Sequence, residues 1–140
     1  MSYTYQHTVQ FYETDAMQIV HHSNYIRWFE EARISWLDQI GYSYKRMEDE
    51  GISIPVLAVD CQYKKPLAFG DVAVIQVTVQ AFTPLRFTMA YEIYNQATGE
   101  LTTVGSSQHC FINAETGRPT SLKRTHPSIL DAFEKGIMRE

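Results

Sequence analysis

Tyr12-Glu13-Thr14-Asp15-Ala16-Met17-Gln18-Ile19-Val20-His21-His22-Ser23-Asn24-Tyr25 joins a strand-like run to a helix-like run, and its reading decides the fold. It opens as a strand and closes as the first turn of a helix, so the chain must turn in between. Asp15 and His22 lie seven positions apart across that turn. The carboxylate therefore falls near a helix N-terminus, where backbone N–H groups lack partners. A carboxylate facing fixed N–H donors suits hydration of, or attack on, a carbonyl.

On the N-terminal side, Tyr3 to Tyr12 alternates. Tyr5, His7, Val9 and Phe11 share one face, and Gln6, Thr8 and Gln10 the other, which predicts a half-buried strand. On the C-terminal side a helix is expected from Asn24 to Ile40, capped by Ser23 or Asn24 and stopped at Gly41. Tyr25, Trp28, Phe29, Ala32, Trp36 and Ile40 form a wide apolar face that Ile26 and Leu37 extend, opposite Arg27, Glu31 and Asp38. A helix this apolar is buried on more than one side. Glu30 and Arg33 are spaced for an ion pair, either solvated or buried at a subunit interface.

Tyr42 to Glu50 reads as a second, short helix closed by Gly51, after which the period changes to two. Strands are expected at Val56 to Lys64, Val72 to Phe82, Arg86 to Tyr94 and Leu101 to Ile112. In the clearest, Ala73, Ile75, Val77, Val79 and Ala81 face one way. Gly70-Asp71, Thr83-Pro84-Leu85, Ala97-Thr98-Gly99 and Glu115-Thr116-Gly117 supply short turns, so the strands should pair antiparallel. Pro127 to Met138 reads as a terminal helix with proline in its first turn. One strand, a long helix and then four strands argue α+β.

The string Tyr-x-Glu-Thr-Asp-x-x-x-x-Val-x-His-x-Asn-Tyr, followed by Trp28-Phe29-Glu30-Glu31-Ala32-Arg33, resembles the signature of hotdog-fold acyl-CoA thioesterases, in the 4-hydroxybenzoyl-CoA thioesterase-like group. Lys65-Pro66-Leu67-Ala68-Phe69-Gly70-Asp71 is similar to that group's Pro-x-x-x-Gly-Asp/Glu turn. The resemblance implies a single domain over residues 1–140, a curved antiparallel sheet wrapped around the long central helix. It implies hydrolysis of an acyl-CoA or acyl-carrier-protein thioester, without metal or organic cofactor. Asp15 matches the catalytic carboxylate, as general base or nucleophile, and His22 would polarise the carbonyl through its backbone N–H or orient water through its ring. Tyr25 would bind substrate, and Met17 and Gln18 either point to solvent or line and narrow the acyl pocket beside Asp15. Arg86, at the hairpin where related enzymes hold the nucleotide, is the first candidate for the phosphates of coenzyme A, ahead of Lys64 and Lys65. The family usually has small residues, often glycine, where this chain has Met17 and Gln18. Its sites lie between subunits, so a homodimer or homotetramer is expected. Rival readings are a non-catalytic acyl-CoA-binding module and a hotdog dehydratase acting on a hydroxyacyl thioester.

Composition agrees with one globular domain: 140 residues, 44% of them hydrophobic, bury most of an unfolded chain's surface. A net charge of −4 gives no general attraction to nucleic acid or membranes, and no apolar run reaches the length of a membrane span. Met1 to Gln10 lacks the apolar core of a signal peptide, and Cys61 and Cys110 read as buried free thiols, so a cytoplasmic location is expected. His7, His21, His22, Asp15 and His109 show no zinc-ligand spacing, and no Gly-x-Ser-x-Gly elbow or phosphate-binding glycine loop is present.

Overall fold

The computed structural model describes residues 3–138. The elements in chain order are β1 (Tyr3–Thr8), α1 (Ser23–Gln39), α2 (Tyr44–Asp49), β2 (Ile52–Ser53), β3 (Val56–Tyr63), β4 (Val72–Phe82), β5 (Arg86–Asn95), β6 (Leu101–Cys110), β7 (Ile112–Asn113), α3 (Leu122–Thr125) and α4 (Pro127–Met138). Five strands pair antiparallel in the order β1-β4-β5-β6-β3, and β2 pairs with β7 in a separate ribbon. The expected α+β arrangement of one long helix against an antiparallel sheet is present.

α1 packs against β1, β3 and β4. Its 17 residues bury Tyr25, Trp28, Phe29, Ala32, Trp36 and Leu37. Phe29 lies flat on Tyr91 of β5, with ring centroids 4.2 Å apart. That approach needs Gly105 in β6: a Cβ there would stand 2.6 Å from the Phe29 ring and from the Asp60 carbonyl. Gly41 ends the helix at φ +87°, a conformation open chiefly to glycine. α4 closes the other end of the core, where Phe133 meets Trp36, Phe82, Phe87 and Phe111. Bulges interrupt the ladders at Val56/Ala58, Val79/Ala81 and Ile93/Tyr94, and bulges bend and twist strands.

Several expectations need correction. β1 ends at Thr8, and Phe11–Glu13 forms a 3-10 turn that leaves Phe11 exposed. Ser23 and Asn24 do not cap α1, because the helix already begins at Ser23. The His21 ring accepts the Ser23 N–H at 3.2 Å and the His21 carbonyl accepts that of Asn24 at 3.0 Å. Ile26 does not extend the apolar face and lies exposed. Ser43 caps α2 from outside, which excludes Tyr42 and Ser43 from that helix. The bulge after Val79 turns Ala81 outward and Phe82 toward the core. Leu101 to Ile112 is not one strand, since Ile112 leaves β6 to pair with Ser53. α3 was not foreseen. Glu30 is exposed while Arg33 is buried and donates to Tyr91 Oη at 3.5 Å, so the expected ion pair is not formed. Cys61 and Cys110 are free and only half-buried. Among the described residues, no helix is long and apolar enough to cross a membrane.

Candidate active site

The Asp15 loop is a closed turn. A bridge between Thr14 and Val20 shuts it, and Asp15 N–H donates to the Ile19 carbonyl at 2.9 Å. The Gln18 N–H returns to the Asp15 carbonyl at 2.9 Å, and the Met17 N–H donates to Asp15 Oδ1 at 2.8 Å. This last bond fixes the carboxylate and leaves Oδ2 without a protein donor among the described residues. Gln18 sits at φ +66°, the one non-glycine residue described with positive φ. Left-handed backbone favours glycine, which is the residue the resemblance led one to expect near this position.

Asp15, Met17, His22, Tyr25, Lys64 and Lys65, six of the eight expected site residues, line one cavity of about 370 Å³. Two long-range bonds bring them together. The Val20 N–H donates to the Leu67 carbonyl at 2.9 Å, drawing the segment after β3 alongside the loop, and Tyr63 Oη donates to the His22 carbonyl at 3.2 Å. The His22 N–H, one residue ahead of α1, has no protein acceptor among the described residues. The helix behind it adds the positive end of its dipole. Tyr63 also lines the cavity, a residue that strand periodicity had passed over as ordinary. Burial, reinforced by Cys61, pushes the phenols of Tyr25 and Tyr63 up to about 12, so both are neutral donors near neutral pH.

Two expected residues lie elsewhere. Gln18 turns to a neighbouring groove of about 800 Å³ lined by Phe11, Tyr12 and Phe69, which shares Asp15 with the cavity. Arg86 is exposed at the β4–β5 turn and lines neither space. Within one chain the two lysines stand at the cavity and Arg86 does not. Lys65 Nζ is bonded to Glu100 at 2.6 Å, which leaves Lys64 as the cation there without an ion-pair partner among the described residues. His21 stacks on His22 at 4.2 Å and serves the helix start, as its structural reading anticipated. Among the described residues no group of three or more His, Cys, Asp or Glu is placed to hold a metal.

Glu13 was missed. It is buried, with Oε1 accepting from the Gln10 N–H and bonded to His7 Nε2, both at 2.8 Å, and Oε2 accepting from Trp28 Nε1 at 2.8 Å. Its carbonyl accepts from the N–H of His21 and from Asn24 Nδ2. His7 continues the chain to Glu31, which also accepts from Tyr5 Oη. Burial alone would push the Glu13 carboxyl up, but the Gln10 amide, His7 and Trp28 outweigh it and hold it below its ordinary value. Glu13 thus fixes the loop that carries Asp15 to both β1 and α1. Its signal in the sequence was His7 on the inward face of β1, since an inward histidine needs a polar partner.

Residues 9–133 match the family model described as the thioesterase-like superfamily. The chain belongs to this superfamily. It is 35% identical over 127 residues to a putative acyl-CoA thioesterase, YneP, of Bacillus subtilis (strain 168), covering 91% of each chain. It is 38% identical over 130 residues to a putative esterase of Aquifex aeolicus (strain VF5), covering 93% of this chain and 98% of the relative. Among solved structures, a DHNA-CoA thioesterase from Staphylococcus aureus superposes with a TM-score of 0.89 at 34% identity, covering 94% of this chain and 88% of that one. The resemblance to hotdog-fold acyl-CoA thioesterases is borne out. This thioesterase-like protein is a thioester hydrolase by membership, with the hotdog arrangement of helix and sheet.

Proposed function

We propose that this chain hydrolyses a compact acyl-CoA thioester, with Asp15 as the reacting carboxylate and the His22 N–H polarising the thioester oxygen. The observation that carries this reading is the cavity shared by a carboxylate with one free oxygen and an unpaired amide at a helix start. Asp15 Oδ2 takes a proton from water as the water oxygen adds to the carbonyl carbon, or itself adds to that carbon to give a mixed anhydride that water then opens. The growing negative charge on the carbonyl oxygen meets the amide and the helix dipole. The carbon–sulfur bond breaks, and the thiolate leaves and takes up a proton.

Lys64 at the cavity suits a phosphate on the thiol's pantetheine arm, and the relatives named above as CoA thioesterases favour coenzyme A over a carrier protein as its bearer. Met17 narrows the cavity, which lies near the small end of ordinary ligand pockets. The working unit in this reading is a single-domain chain paired with a second copy, as a homodimer or homotetramer. β3 supports it: it is an edge strand, largely open on both faces, with Val56, Leu57, Val59 and Tyr63 exposed. A reducing cytoplasm suits the two free thiols.

Asp15→Asn tests the assignment. It keeps the shape of the loop, including an acceptor for the Met17 amide, and should lower kcat by roughly two orders of magnitude or more with little change in Tm. Thiol release from a panel of acyl-CoAs is the measurement, and a variant as fast as the parent would remove Asp15 from the chemistry. Label found in Asp15 after a single turnover in heavy-oxygen water would establish the anhydride route with water opening it at the Asp15 carboxyl carbon.

A further inference from the structure

A second cavity, of about 210 Å³, lies between α1, α2 and the chain entering β3, and it shares no lining residue with the Asp15 cavity. Its one cation is Arg33, which is 8% exposed. A guanidinium carries five N–H donors, yet the single protein hydrogen bond of Arg33 among the described residues is the 3.5 Å contact to Tyr91 Oη. Tyr91 is already engaged, with its hydroxyl 2.6 Å from Ser107 Oγ, and Ser107 Oγ lies 2.7 Å from His109 Nε2. Among the described residues no acid closes this buried chain. Glu30 stands at the rim, exposed, and makes no ion pair with Arg33 within 4.0 Å. A buried charge so sparsely bonded is costly unless something anionic completes it.

Apart from Glu30 at the rim and the Tyr44 hydroxyl, which accepts from the Ile54 N–H at 3.4 Å, the rest of the lining is apolar, with Ile34, Leu37, Ile54 and Phe87 among it. We propose that this cavity is a second ligand site, which takes a small carboxylic acid with a compact apolar body. The carboxylate fits the planar fork of Arg33, two N–H groups to two oxygens. The apolar body fills a space of about seven water volumes, too small for a thioester with its coenzyme. Such an acid is also the chemical class of product released in the proposed reaction. That link rests on the proposed function; the site itself does not.

The test is calorimetric titration of the full-length protein with benzoate. Parent and Asp15→Asn should bind with the same affinity, which separates this site from the thioester cavity and holds whether or not the protein hydrolyses thioesters. Arg33→Met should weaken binding at least tenfold and Arg33→Lys by less. Ile34→Phe, which fills the cavity and keeps the charge, should abolish binding even if Arg33→Met folds poorly. No binding to the parent at tens of millimolar overturns the proposal, and so does equal binding by Ile34→Phe or loss of binding in Asp15→Asn. A parent blind to benzoate whose Arg33→Met variant alone sediments as a monomer would give Arg33 to a carboxylate of a second copy instead.

Discussion

Gln18→Gly should make this protein more stable without touching its chemistry. Gln18 holds φ +66°, where an L side chain crowds the following carbonyl at a cost of about 1–2 kcal/mol. Glycine removes that cost but has more freedom to lose on folding, a penalty of roughly 0.5–1 kcal/mol. The side chain is exposed and makes no hydrogen bond among the described residues, so little packing goes with it. The net gain is about 0.5–1 kcal/mol. For a chain of 140 residues the unfolding entropy near Tm is about 0.3 kcal/mol/K, so Tm should rise by about 2–3 °C. Differential scanning calorimetry reads this directly. Gln18→Val, a branched side chain in the same conformation, should lower Tm. The Gln18 and Met17 amides that set the loop and Asp15 Oδ1 are backbone groups and survive the change, so kcat should stay within about twofold of the parent. A Gln18→Gly protein that melts at or below the parent would refute the left-handed assignment or show that the side chain makes contacts of its own.

Glu13→Leu leaves the Gln10 amide, His7 and Trp28 Nε1 without their acceptor and should cost about 3 kcal/mol or more in urea unfolding, with loss of activity through the displaced loop. Because Glu13 is held below its ordinary value, its contribution is full above the usual carboxylate range and is lost as pH falls through the lower folded value. Glu13→Gln should therefore flatten the acid limb of a stability–pH curve. His109, fully buried, is lowered from 6.5 to about 4 by burial and by Arg33, so the unfolded chain takes up a proton that the native state refuses. Stability should be level above pH 6.5 and should fall by about 3 kcal/mol toward pH 4, a loss that His109→Gln removes. Gly105→Ala drives a methyl into Phe29 and the Asp60 carbonyl and should destabilise by about 3 kcal/mol, read as a lower urea midpoint. Met17→Gly with Gln18→Gly should broaden the accepted acyl chains, by one to two orders of magnitude in kcat/KM across acetyl- to palmitoyl-CoA and benzoyl-CoA, and a parallel profile would take Met17 out of the pocket wall.

What could be read from the chain alone was what local pattern controls. The apolar spacing from Tyr25 to Leu37 and the alternation from Ala73 to Val77 reflect burial on one stripe or one face, and both elements are where that pattern puts them. The Asp15 loop was legible through its resemblance to a motif, down to the two side chains that depart from it. What stayed hidden depends on partners far away in sequence. Glu13 acquires its meaning only when β1 brings His7 and α1 brings Trp28. Lys64 stands at the cavity and Arg86 does not because a single bond from Val20 to Leu67 draws the end of β3 to the loop, and no local pattern reports that. The left-handed backbone of Gln18 was invisible for the same reason that glycine would have announced it: glutamine carries no signal of positive φ.

β3 has a consequence for the life of the chain before it finds any partner. Paired with β6 on one side only, this eight-residue strand rich in Val, Leu and Tyr turns a row of backbone N–H and C=O groups outward, the sort of edge on which strand after strand of other molecules can grow. Asp60 stands exposed in its middle. A fibril stacked in register would set one carboxylate above the next at the strand spacing of about 4.8 Å, with like charges repelling along its whole length. A single antiparallel neighbour meets no such column. One acid on an otherwise sticky edge thus permits a pair and penalises a pile, and a chain carrying Asp60→Val should be the one that comes out of solution.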